Sequence, residues 1–140
     1  MLIIQNKIED EGKILERDPR LGARVICRSL LPSFVLLGTI QRIIRYRNGA
    51  ESWKVLTDGP MIEEGPSTGF LLYEGSEFRA SQQVKYHLDE GGSWLAMVIE
   101  PEWACDHLRF LILIESDEHA AVKVEQGHTF AADPTRLSTI

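Results

Sequence analysis

Asn48-Gly49 constrains this chain more than any other pair of residues. Both residue types tolerate the positive φ that a two-residue type I′ turn requires. The pair therefore predicts a hairpin between the β-branched run at residues 34–47 and a return at residues 51–57. In the return, Trp53 and Val55 fall on one face, and Ser52, Lys54 and Leu56 on the other. Gly38 inside the first run marks a bend or bulge. The polar Gln41, Arg42, Arg45 and Arg47 lie on both faces of it, as in an edge or strongly twisted strand.

The same rhythm continues on either side. Ala23, Val25 and Cys27 alternate with Arg24, Ile26 and Arg28, the pattern of a half-buried strand. Leu30 to Ser33 reads as a loop with two exposed leucines. Asp58-Gly59-Pro60 predicts a turn, residues 61–68 a polar loop, residues 69–73 a further strand and residues 77–80 a short one. Residues 20–80 thus form one block of short strands. A second block spans residues 82–126. Val84, Tyr86 and Leu88 alternate against Lys85 and His87, and Gly91-Gly92 turns the chain into a partner strand at 94–100. Pro101 opens a break over 101–106, and residues 107–115 and 120–126 make a last pair. Residues 127–140, with Pro134, read as a tail that frays.

Residues 1–17 allow two readings. Leu2, Ile4 and Ile8 alternate loosely, and Glu11-Gly12 turns them into a second strand at 13–17. A helix pairing Ile4 with Ile8 and Leu15 competes, but Gly12 in its middle would cost it about 1 kcal/mol. The hairpin is favoured, and Asp18-Pro19 ends it, because the residue before a proline avoids helical angles. With no repeat, low-complexity segment or long linker, the blocks are expected to share one core in a single mostly β domain, residues 1–140.

Charge is unevenly laid out. Residues 1–80 carry eleven basic and eleven acidic side chains, whereas residues 81–140 carry four and ten and hold the whole net charge of −6. Between Arg20 and Lys54 stand seven basic residues and a single acid, Glu51. Such polarity marks either a ligand-binding face or two halves that complement each other. The longest apolar run, FLILI at 110–114, is strand-sized and far short of the roughly 18 residues of a membrane span. The N-terminus lacks the basic region and longer apolar region of a signal peptide. With only Cys27 and Cys105 as cysteines, a cytoplasmic protein with two free thiols is expected, Cys27 a buried strand residue and Cys105 the more reactive.

The placing of Gly22 and Val25, Gly38 and Ile40, Trp53 to Gly59, and Glu77 to Arg79 resembles an SH3-like small barrel of the Tudor or KOW kind. The resemblance covers residues 20–80 and leaves out 81–140. It implies a binding module for proline-rich or methylated peptides, nucleic acid or other subunits, and it identifies no ligand.

Several groups of side chains offer sites. Tyr46, Trp53, Phe70 and Tyr73, with Phe78, suit a pocket for a cation or an extended peptide, or else a core. Arg24, Arg42, Arg45 and Arg47, with Arg20, Arg28 and Lys54, suit an anion-binding stripe with Tyr46 and Trp53 interleaved. The alternatives are a solvated face or partners for the acids of residues 81–140, and the net charge argues against nucleic acid. Cys105, His107, His119 and His128 lack the close ligand spacing of a zinc site, so no metal is predicted. The acidic pairs 63–64, 89–90 and 117–118, with Glu100 and Glu102, read as solubility charges in turns. Neither G-x-G-x-x-G nor G-x-x-x-x-G-K-[ST] occurs, so no nucleotide cofactor is predicted. The favoured reading is a non-catalytic binding or interaction module with a protein or peptide partner, no membrane and self-association as a homodimer. The alternative is a small enzyme or ligand-pocket protein with its site between the blocks, using histidines and carboxylates of residues 87–128. A third reading is a small bacterial protein that adapts to one specific partner through its acidic half.

Overall fold

A computed structural model describes residues 12–118, 120, 122–124 and 127–140. The expectations for Leu2, Ile4, Ile8, His119 and Gln126 lie outside them. The described chain is mostly β, with three single-turn 3-10 segments and two antiparallel sheets. Among the described residues no helix is long and apolar enough to cross a membrane. Two compact units arise, one from residues up to 29 with 36–73, the other from 30–35 with 74–140.

The first unit holds β1 (Lys13–Ile14), β2 (Arg24–Cys27), β3 (Leu37–Arg45), β4 (Glu51–Thr57), β5 (Ile62–Pro66) and β6 (Phe70–Leu72). Its strand order is β5-β4-β3-β2-β6, with β1 also paired to β3. In a flat sheet, strands β4 and β6 would lie about 14 Å apart, three spacings of about 4.8 Å. Yet Trp53 of β4 and Phe70 of β6 stack with ring centroids 6.0 Å apart. The sheet is therefore rolled around a core of Val25, Cys27, Ile40, Ile43, Trp53, Val55 and Phe70. Strands β5 and β6 do not pair, so the roll is not a closed barrel.

Three local corrections follow in this unit. Only Gly49 has positive φ at the hairpin tip, and its N–H donates to the Tyr46 carbonyl, so the connection is longer than a type I′ turn. The bulge in β3 falls at Gln41, not Gly38: Ile40 pairs with Val55, but Arg42 pairs with Lys54. That extra residue reverses the alternation and lets Ile40 and Ile43, three apart, both face the core. Gly38 has a different reason. A Cβ there would stand 2.5 Å from Val55 Cγ1 and 2.8 Å from the Leu56 carbonyl oxygen. The expected polar loop at 61–68 contains the edge strand β5, where Glu63, Glu64 and Pro66 are tolerated because only β4 needs its hydrogen bonds.

The second unit holds β7 (Gln83–His87), β8 (Ser93–Ala104), β9 (His107–Ser116), β10 (Thr129–Ala132) and β11 (Leu137–Thr139), in the order β10-β9-β8-β7-β11. The expected break at 101–106 narrows to its last two residues. Pro101 continues β8 opposite Phe110, beyond the last β7 pairing at Met97, where a strand proline blocks no neighbour. The chain turns at Cys105-Asp106, both with positive φ and flanked by the pair Ala104–His107. The two-residue turn with positive φ throughout is therefore here, not at Asn48-Gly49. The supposed tail is ordered: it supplies β10 and β11, and it buries Ala132, Pro134 and Leu137. Thus β9 pairs with β10, and of the described residues in 120–126, Ala120 makes an isolated bridge to Gly92. Residues 77–80 form no strand; Phe78 instead packs edge-on against Phe110, 5.6 Å away, within the core.

Candidate functional site: an aromatic cleft on the second sheet

The register of β7 with β8 places Tyr86 directly opposite Trp94, across the Gly91-Gly92 turn in which both glycines have positive φ. Their rings lie nearly parallel, 5.5 Å apart. From β10, Phe130 meets both edge-on, 5.1 Å from Tyr86 and 6.0 Å from Trp94, and His128 lies 6.1 Å from Phe130. Alternation puts Tyr86 on the face of Val84, and Trp94 on the face of Ala96 and Val98, all three fully buried. The three rings thus continue the core face of the sheet to its end, where they line a cleft of about 420 Å³.

Polar groups form the rim. Trp94 Nε1–H donates to the Val122 carbonyl at 2.8 Å, which fixes the indole. Arg136 ends a 3-10 turn, Pro134–Arg136, that is capped by the Asp133 carboxylate accepting from the Thr135 N–H. Its guanidinium donates to Asp89 at 2.5 Å and to the His87 carbonyl at 3.4 Å. Arg136 beside it holds the Asp89 carboxyl below the ordinary carboxylate range. Glu90 completes the rim. Asp89 is tied to Arg136, and His87 shares a 2.7 Å hydrogen bond with Ser138. The arrangement is suited to holding a ligand.

The residues singled out from sequence lie elsewhere. Trp53 and Phe70 are buried against each other in the first unit's core. Tyr46 is half-buried with its ring over Gly12, and Tyr73 is half-buried just after β6. The arginines meet acids of their own unit. Arg24 donates to Asp58 and Thr39, Arg42 to Glu64, and Arg45 to Glu51. Arg47 is exposed and pairs with no acid among the described residues.

Glu51, the lone acid of the basic stripe, is its hub. It accepts both terminal nitrogens of Arg20 at 2.8 Å, Arg45 at 2.9 Å and the Trp53 indole N–H at 3.1 Å. Arg20 lies 5.6 Å over the Trp53 ring and also holds Asp18. Arg20, foremost, draws both carboxyls down to about 2. Cys27 is buried and its thiol is pushed up to about 11 by burial and then by the charge of Glu63, whereas Cys105 is exposed. Among the described residues no three His, Cys, Asp or Glu side chains cluster as metal ligands would.

Tyr86, Trp94 and Phe130 were not singled out from sequence. The signal for the first two was available, since a hairpin turning at Gly91-Gly92 sets them opposite each other. Phe130 gave none, because it falls in the supposed tail. Comparison with models of known protein families finds no match, and comparison with curated proteins finds none.

Proposed function

We propose that this protein is a non-catalytic binding module whose ligand lies in the cleft of Tyr86, Trp94 and Phe130. The observation that carries the reading is the cleft itself: three packed rings at the end of a buried sheet face, about 420 Å³ in volume, with charged groups on its rim. That size and mixture match small-ligand and side-chain pockets, which run from about 300 to 1,000 Å³. The SH3-like reading of the first unit is part of the proposal. It is supported by the meander β2 to β5, the short last strand β6 returning to β2, and the roll that brings Phe70 onto Trp53. Nucleic acid is left out, because Arg24, Arg42 and Arg45 already hold carboxylates. The free thiols favour a cytoplasmic setting.

The test is a small-molecule fragment screen on the isotopically labelled chain by two-dimensional NMR. Binders should shift the Trp94 indole N–H and the amides of Tyr86 and Phe130, and Trp94→Ala should abolish their binding while the remaining spectrum persists. Hits confined to other surfaces, or unaffected by Trp94→Ala, would refute the assignment.

A further inference from the structure

We infer that the cleft receives a guanidinium group, the arginine side chain of a peptide partner; this rests on the binding-module reading above. The first argument is charge. The cleft belongs to a stretch, residues 81–140, with ten acids and four basic residues. Among the described residues its charged rim groups are Asp89, Glu90 and Arg136, with His128 beside them. Arg136 is fastened to Asp89 and to the His87 carbonyl, so the two charges offset each other. Glu90 is exposed and pairs with no basic side chain among the described residues. Nearby cations point elsewhere: Lys123 donates to the Asp117 carbonyl, and Lys85 alternates to the face opposite Tyr86. The cleft therefore presents a net negative charge beside an aromatic wall, which favours a cation with an apolar stem.

Ring geometry selects the kind of cation. Tyr86, Trp94 and Phe130 stand 5.1–6.0 Å apart and fill the space between one another. Packed on one another, they make one wall of the cleft and not a cage around it, so a head group must lie along the aromatic surface. A planar guanidinium does this, and it can also donate to a carboxylate in its plane. The protein uses that combination internally: Arg20 lies over Trp53 while both its terminal nitrogens grip Glu51. Trp94 and Glu90 offer the same two partners to a guanidinium from outside.

The experiment titrates the labelled full chain with three capped tripeptides, Gly-Arg-Gly, Gly-Lys-Gly and the Gly-citrulline-Gly isostere, while following the Trp94 indole N–H. The arginine peptide should bind about fivefold more tightly than the neutral citrulline peptide, as one cation–π contact of moderate strength requires. It should also bind more tightly than the lysine peptide, and Glu90→Gln should weaken it severalfold with the spectrum otherwise unchanged. Equal binding of the citrulline peptide, or indifference to Glu90→Gln, would overturn the inference and leave the cleft a neutral-ligand site. Tighter binding of lysine would overturn the choice of guanidinium. If none of the three shifts Trp94 although fragments do, the inference falls alone; if fragments fail too, the binding-module reading falls with it.

Discussion

Replacing Glu51 by glutamine keeps the shape of the hub in the first unit and removes its charge. The Glu51 side chain is 10% exposed and accepts from Arg20, Arg45 and the Trp53 indole. Breaking a fully buried ion pair costs about 3–5 kcal/mol. Here the cost is smaller, because Arg20 is 31% and Arg45 51% exposed, and Arg20 keeps Asp18. A loss of about 2 kcal/mol at pH 7 is expected. Its pH dependence gives a sharper check. The folded state holds the Glu51 carboxyl at about 2 against an ordinary 4.5, so it binds the proton less well than the unfolded chain does. The stabilisation is therefore complete above about pH 4.5 and is lost as pH falls towards 2. Urea unfolding of both proteins between pH 7 and pH 2 should show the gap closing across that window. Asp18 titrates in the same range and shares Arg20, but it is present in both proteins, so the difference is dominated by Glu51. An equal stability at pH 7, or a gap that persists unchanged at pH 2, would refute the reasoning.

Gly38→Ala should destabilise the protein by about 2 kcal/mol, because the added methyl meets both the Val55 side chain and the Leu56 backbone; an unchanged urea midpoint would show that the β3–β4 contact gives way freely. Arg42→Ala and Arg45→Ala should leave the affinity for a short single-stranded oligonucleotide negligible at about 150 mM salt, as in the parent, and a salt-dependent affinity that these substitutions abolish would restore the basic stripe as an anion site. Leu56, Met61 and Ile62 form an exposed apolar patch at the β5 edge, so sedimentation at tens of micromolar should show a dimer that Ile62→Ser dissociates, and a monomer in the parent would exclude this face.

How far the sequence could be read depended on the range of the forces at work. Alternation of Val25 and Cys27, and of Trp53 and Val55, is local, and it located β2 and β4. Strand β5 escaped because its glutamates and proline are poor strand formers, and only pairing along β4 makes them one. The phase change at Gln41 was visible as polar residues on both faces, but a bulge can be placed only against a partner strand. Pro134 and the polar residues around it suggested fraying, whereas the order comes from Ala132 and Leu137 packing against distant strands. The site was misplaced for the same reason. Aromatic density drew attention to Trp53 and Phe70, yet rings that dense in a small rolled sheet become its core. The cleft needed Phe130 brought beside a hairpin that precedes it in the chain, which no short window contains. Glu51 was legible as the single acid among seven basic residues, though its role as the shared partner of Arg20 and Arg45 was not.

The return of β6 to β2 also sets an order of events. Cys27 lies opposite Phe70, so this pairing closes a long stretch of chain, at an entropic cost of about 3 kcal/mol before any contact compensates it. The neighbouring hairpins of β3, β4 and β5 close short connections and can form first. Phe70 is therefore expected to reach Trp53, its stacking partner, only after the sheet has begun to roll. Truncating Phe70 should accordingly speed unfolding several-fold while leaving the refolding rate nearly unchanged, and truncating Val55 should slow refolding. The ring that completes the core is then the part that governs how long the folded unit lasts.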